Sequence, residues 1–108
     1  MRIDVVTIFP PMVEAIAGYG VTGRAIQNGL VTLRAWNPRE FADNSYRRVD
    51  ESPYGGGPGM VMMPDPLAHT IAAAKREQPP GTKVSCLTPQ GRTLDHAAVA
   101  ELASRPGL

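Results

Sequence analysis

A chain of 108 residues with 43% hydrophobic content is the size of one small domain and holds enough apolar surface for a modest core. Eleven basic and ten acidic residues leave a net charge of +1, which excludes a strongly basic, sequence-blind nucleic-acid binder but leaves room for RNA recognition by a local patch. The single cysteine, Cys86, cannot form an internal disulfide, in keeping with a reducing cytosol, and no apolar run approaches the ~20 residues of a membrane helix.

The opening "RIDVVTIF" (2–9) is β-branched and apolar and predicts a strand covered on both faces. It is too short for a secretory signal and has no small-residue cleavage site. Pro10-Pro11 stops the strand, and "PMVEAIAGYG" follows as a helix with Met12, Val13 and Ile16 on one face and Glu14 pointing away. In "TGRAIQNG", Thr22 can cap a short helix and Gly29 can end it. "LVTLRAW" (30–36) reads as a second strand. Residues 37–65 then hold no clear periodic element, and a loop of that length in a small domain is usually functional or disordered.

Order returns at "PDPLAHTIAAAKRE", where Asp65 suits an N-cap and Pro66 the first helical position. Leu67, Ile71 and Ala74 form its apolar stripe, and Lys75 and Arg76 suit the dipole of its last turn. "KVSCLTP" (83–89) predicts another buried strand, "QGR" a turn, and "LDHAAVAELAS" (94–104) a helix with Ala98, Val99 and Leu102 on one face. The order β-α-α-β-loop-α-β-α gives an α/β class with a mostly parallel sheet and flanking helices. Past "RPGL" the alternation calls for a further strand. Ligands in such sheets bind at the carboxyl ends of the strands, where the long loop and "LTPQGR" both fall.

"YGGGPGM" (54–60) does not fit the phosphate loops. A Walker loop ends in Gly-Lys-Ser/Thr, whereas Gly59 is followed by Met60 and Val61, and the GxGxxG spacing fails from either Gly55 or Gly57. A nucleotide-triphosphate enzyme is therefore disfavoured. The glycines still offer backbone free of side chains that can approach a flat ligand, and Pro58 stiffens the segment more than a connector needs. Met60, Met62 and Met63 could line an adaptable pocket, although such a run more often packs into a core, and Met62 is expected there. Asp50 and Glu51 could accept hydrogen bonds from a base edge or could simply be solvated. Thr88, Gln90 and the backbone of 87–91 could bind an adenine edge or a ribose, or could form a plain turn. Arg34, Arg39, Arg47 and Arg48, interleaved with Trp36, Phe41 and Tyr46, could hold phosphates and stack on bases, though snorkelling surface arginines give the same pattern. His69 and His96 have no neighbours at metal-ligand spacing, so no metal site is expected. Cys86, with no histidine near it in sequence, reads as a small hydrophobe.

The segments "TIFPPMVEAIAGYGVTGRAIQNGL" (7–30), "WNPREF" (36–41), "RRVDESPYGGGPGMVMM" (47–63) and "LTPQGRTLD" (87–95) together resemble the bacterial tRNA (guanine-N1)-methyltransferases of the knotted SPOUT class. They run collinearly through almost the whole chain, and "YGVTGRA" together with "DxxPYGGGPGM" is highly specific. The resemblance implies a cytoplasmic homodimer that transfers methyl from S-adenosylmethionine to N1 of the guanosine 3′ of the tRNA anticodon, with active sites at the subunit interface. It implies cofactor binding by Leu87, Thr88, Pro89, Gln90 and Gly91. The target guanine and its neighbour would face Asp50, Tyr54, Gly55, Gly56, Gly57, Pro58, Gly59 and Met60. Cys86 stands where family members often carry an aromatic residue. Family members continue past the position of Leu108 with a "GRYEG"-like loop, the rest of the trefoil knot, the catalytic aspartate and a helical tRNA-binding domain. The expectation is thus an N-terminal part of the methyltransferase domain, inactive by itself, with no catalytic base among residues 1–108. A short non-catalytic RNA-binding or dimerisation module is the alternative.

Overall fold

The computed structural model describes residues 1–108. Strands β1 (Arg2–Val6) and β2 (Thr32–Trp36) pair in parallel, from Arg2 opposite Thr32 to Val6 opposite Trp36. A parallel pair needs a crossover, supplied by α1 (Pro10–Ala17) and α2 (Gly20–Gln27). The first strand is shorter than the expected 2–9 because the Phe9 amide donates to Thr7 Oγ1 at 3.0 Å and turns the chain. Pro10 and Pro11 do more than stop a strand. They open α1, where their missing amides would have had no partner in any case.

α2 begins before the expected Thr22, and Thr22 is not its cap. Its hydroxyl instead donates back to the carbonyls of Ile16 (2.9 Å) and Tyr19 (3.1 Å), which fastens α2 to the end of α1. At the other end Gly29 has φ +72, its amide bonds Ile26 O, and the Leu30 amide bonds Ala25 O. These two bonds make a Schellman termination, the role the sequence predicts for Gly29.

The stretch 37–65 is more ordered than its sequence suggests. A 3₁₀ turn spans Pro38–Phe41, started by the Asn37 side chain accepting from the Arg39 amide. β3 (Asp50–Glu51) and β4 (Val61–Met62) then pair antiparallel, and the glycine cluster forms the loop between them. Two-residue strands carry no detectable periodicity, which is why the sequence does not reveal them.

α3 (Pro64–Glu77) starts at Pro64, so Asp65 sits within the first turn, where a carboxylate suits the dipole, and does not cap the helix. α4 (His96–Ala103) is capped by Asp95, whose carboxylate accepts from the Ala98 amide at 2.8 Å. Ala98 is buried and Leu102 half-buried, but Val99 is exposed.

The strand expected over 83–89 does not form: the segment makes no ladder hydrogen bonds and is exposed throughout. Apolar, β-branched residues become a strand only when another edge accepts their backbone bonds, and the free edge of β1 is already taken. Pro106–Leu108 lies along it in parallel: the Arg2 amide bonds Pro106 O at 3.0 Å, the Leu108 amide bonds Arg2 O at 2.9 Å, and the Asp4 amide bonds Leu108 O at 2.8 Å. β1 therefore lies between β2 and the Pro106–Leu108 segment.

The class is α/β, as expected. α3 packs on β1 and on the 3₁₀ turn, and α1 packs on β2. The core is small, with Trp36, Ala73 and Ala74 in contact and Val6 and Phe41 against them. Only 10 of 108 residues are buried, and 8013 Å² of surface stays accessible. A compact monomer of 11.6 kDa would expose about 5,800 Å². The radius of gyration of 15.7 Å likewise exceeds the roughly 13 Å of a compact chain of this length.

Candidate functional site

The β3–β4 hairpin carries one candidate surface. Its base is held by the pairs Asp50–Met62 and Glu51–Val61, and by the Met63 amide donating to Val49 O at 2.7 Å. Val49 is fully buried and anchors the hairpin to the domain. Met62 is 39% exposed, so it lies on the hairpin rim and not in the core as expected: β4 packs only against the two-residue β3, which covers little of it. From that base the loop projects into solvent, with Tyr54 wholly exposed and Gly55 to Met60 exposed as well.

Gly55, Gly56 and Gly59 have φ of +84, +73 and +91, and an added Cβ at any of them would meet nothing within 4 Å. Backbone conformation, not crowding, is what demands glycine here. Pro58 followed by a left-handed Gly59 has the residue order of a type II turn. Asp50, half-buried in β3, makes no side-chain hydrogen bond or ion pair within the chain.

The second candidate surface is the turn at 88–91. The Gly91 amide donates to Thr88 O at 3.0 Å and the Gln90 amide approaches Thr88 Oγ1 at 3.3 Å. An added Cβ at Gly91 would crowd Thr88 O at 3.3 Å, so glycine keeps the turn closed. The amides of Leu87 and Thr88 and the Gln90 side chain have no partner in the chain, and Leu87 is 94% exposed. An apolar side chain beside free donors and acceptors suits a heterocycle that offers a flat face and a hydrogen-bonding edge. No hydrogen bond or ion pair joins this turn to the hairpin. Neither of the two main clefts, about 270 and 290 Å³, is lined by residues 54–60 or 87–91.

The arginine and aromatic cluster divides. Arg34 is committed internally: its guanidinium lies 3.8 Å from the centre of the buried Trp36 ring and pairs with Glu77, which also holds Arg2 at 3.1 Å. Phe41 belongs to the core rim, and Arg39 donates to Arg47 O at 3.2 Å. Tyr46, Arg47 and Arg48 stay exposed, in a turn locked by Asn44, whose side chain accepts from the Arg48 amide at 2.7 Å and donates to Arg48 O at 3.2 Å. Arg47 sits at φ +49 within that turn. Its sequence position alone does not mark Asn44 as the residue that builds this turn. The turn-forming "DNS" at 43–45 is the signal that could have found it.

A second ionic group also escaped sequence reasoning. Glu101 bonds Arg92 at 3.1 Å and Arg105 at 2.7 Å, and these two guanidiniums, Arg92 first, hold its carboxyl below the usual range. Glu101 and Arg105 have the i,i+4 helical spacing, but nothing in the sequence links Arg92 to α4. No helix is long and apolar enough to cross a membrane.

The family model described as tRNA (Guanine-1)-methyltransferase TrmD matches residues 1–108. The chain is 55% identical over 108 residues to a tRNA (guanine-N(1)-)-methyltransferase of Methylococcus capsulatus, covering 100% of this chain and 43% of that protein. It is 53% identical over 108 residues to the protein of that name from Klebsiella pneumoniae, covering 42% of it. Among solved structures, the tRNA (m1G37) methyltransferase from Aquifex aeolicus superposes with a TM-score of 0.77 at 28% identity, over 100% of this chain and 48% of that one. The chain thus spans less than half the length of these relatives. The whole-length match and the shared fold make one assignment: the chain belongs to the tRNA (guanine-1)-methyltransferase family.

Proposed function

We propose that this chain forms the N-terminal part of the catalytic domain of a SPOUT-class tRNA (guanine-N1)-methyltransferase, with the knot completed by chain beyond Leu108. The reaction moves a methyl group from S-adenosylmethionine to N1 of the guanosine 3′ of the anticodon. One observation carries the reading: residues 54–60 and 87–91, the segments that resemble the family's guanine-facing and cofactor-facing motifs, are both exposed and both built on ordered turns.

Leu87 and the free groups of Thr88, Pro89, Gln90 and Gly91 would hold the adenosine of S-adenosylmethionine, which supplies an electrophilic methyl on a sulfonium when bound. The glycine backbone of Gly55, Gly56, Gly57 and Gly59, stiffened by Pro58, receives the flat guanine, and Tyr54 and Met60 flank it. Asp50 accepts a hydrogen bond from the base edge, which fixes register. N1 of guanine is a poor nucleophile while protonated, so the reaction also needs a base. That base is expected outside residues 1–108, and this chain alone is expected to be inactive. Tyr46, Arg47 and Arg48, beside the hairpin in sequence, supply a stacking face and phosphate contacts.

A homodimer fits the exposed surface. Met12, Ile16, Tyr19 and Val21 on and between α1 and α2 are all uncovered. A tRNA substrate favours a cytoplasmic location.

The test uses a full-length enzyme carrying this sequence as its first 108 residues. Asp50→Asn should lower kcat/KM for tRNA about tenfold to a hundredfold, the range of a lost base-edge contact, and leave S-adenosylmethionine affinity unchanged. The 108-residue chain by itself should incorporate no labelled methyl into tRNA. Methyl incorporation by the short chain would overturn the division of the site. RNA binding with no cofactor binding in the full-length protein would favour a non-catalytic module.

A further inference from the structure

The candidate cofactor turn is nearly free of the fold. Residues 83–94 are exposed, and the hydrogen bonds inside the stretch are the two that close the 88–91 turn. A single hydrogen-bonded ion pair leaves the stretch for the rest of the molecule: Arg92 Nη2 donates to Glu101 Oε2 at 3.1 Å. Without it, the segment between Thr82 and the Asp95 cap of α4 has no polar anchor. The other oxygen of the same carboxylate, Glu101 Oε1, accepts from Arg105 Nη2 at 2.7 Å. Arg105 immediately precedes Pro106–Leu108, which is hydrogen-bonded along β1. One carboxylate on α4 therefore links the turn to the edge of the sheet.

We infer that Glu101 is a positioning residue for cofactor binding, holding the 87–91 turn in its receptive orientation through Arg92 and registering it against the sheet through Arg105. The inference rests on the reading of 87–91 as the cofactor surface. Arg92 directly follows Gly91, so a restraint on its guanidinium acts at once on the turn. A turn ordered before the ligand arrives loses less freedom on binding, and the gain appears as affinity and not as a faster chemical step. Glutamate suits the task because its two oxygens serve two guanidiniums that approach from different segments. Arg92 and Arg105 are the charged groups facing it. With Arg92 71% and Glu101 48% exposed, solvent screens the pair and the effect is modest.

The full-length enzyme carrying this sequence is compared with its Glu101→Gln, Glu101→Asp and Arg92→Ala forms. Hydrogen exchange followed by mass spectrometry reads peptides covering 87–92, calorimetry reads S-adenosylmethionine binding, and steady-state kinetics separates KM from kcat. Glu101→Gln and Arg92→Ala should speed exchange over 87–92 and weaken cofactor binding about two- to fivefold. The KM for S-adenosylmethionine should move more than kcat or the KM for tRNA, and Glu101→Asp should recover part of the loss. Arg92 is a surface residue, so its variant stays informative if a Glu101 variant folds poorly. Exchange unchanged over 87–92 in both Glu101→Gln and Arg92→Ala would overturn the tether. Faster exchange with unaltered cofactor affinity, accompanied by a silent Gln90→Ala, would overturn the cofactor reading of 87–91 and the positioning role with it.

Discussion

Gly59 offers the sharpest test of what the glycine loop is for. At φ +91 it occupies a region that L-residues enter only under strain, yet its missing Cβ would touch nothing within 4 Å. A steric account and a conformational account therefore predict different things. If conformation is the reason for glycine, Gly59→Ala in its L form costs about 1–2 kcal/mol, the price of left-handed backbone for a side-chain-bearing residue. The D-alanine form, which favours positive φ, costs close to nothing. The strain falls on a hairpin whose strands have two residues each, so it appears as local opening and not as loss of the whole fold. A shift of 1–2 kcal/mol multiplies the open population by about five- to thirtyfold. Amide exchange at the hairpin pairs Glu51–Val61 and Asp50–Met62, measured on chains made by chemical ligation, reads that population directly. Equal exchange for the L- and D-alanine forms would refute the conformational argument. Methylation by the full-length enzyme should follow the same order, with D-alanine retained and L-alanine impaired. Gly59→Val adds β-branching and should be worse than L-alanine.

Other outcomes follow from individual contacts. Gly107 is buried, and an added Cβ would collide with Gln78 Oε1 and press on Pro79 Cδ and Thr82 Oγ1, both at 3.1 Å, so Gly107→Ala should lower global stability by about 1–3 kcal/mol in thermal or urea unfolding. The Gln78 side chain also donates to Leu108 O at 3.2 Å, so the same change should loosen the 106–108 edge, seen as faster exchange at the Leu108 amide. Gln90→Ala in the full-length enzyme should weaken S-adenosylmethionine binding more than tRNA binding by calorimetry, and an equal loss of both would count against the assignment of 87–91. The Glu101 carboxyl is depressed by Arg92 and Arg105, so its contribution is fully present above the ordinary carboxylate pKa of about 4.5 and is lost as pH falls through the lower folded value. Protection of 87–92, corrected for intrinsic exchange, should therefore hold from pH 7 to about 5 and decline below that in the wild type, but show no such step in Glu101→Gln.

Much of the local structure was legible in the residues themselves. Gly29 ends α2 as its place after "AIQN" predicts, Pro58 stiffens a loop otherwise made of glycines, and the α/β class follows from alternating strand and helix signals. The motif pair "YGVTGRA" and "DxxPYGGGPGM" pointed to the methyltransferase family, to which the match over residues 1–108 assigns the chain. These features depend on neighbours close in sequence, where propensity and turn chemistry act. The tertiary structure decided what depends on distant partners. "KVSCLTP" has every local mark of a strand and stays unpaired, because the edge of β1 bonds Pro106–Leu108 instead. β3 and β4 are too short to show a period, and they exist because Val49 is buried and holds their base. Arg34, read as one of a set of RNA-facing cations, is consumed by Trp36 and Glu77, while Arg47 and Arg48 stay free. The join of Arg92 to Glu101 spans nine residues and a change of element, and only the folded chain brings that carboxylate to the turn. Sequence alone pointed to the family and the class and to turns such as the one at Gly29, whose shape depends on residues beside it. The fold decided which edges and charges remain available to a ligand, because a backbone bond or an ion pair satisfied within the chain is no longer free to serve one.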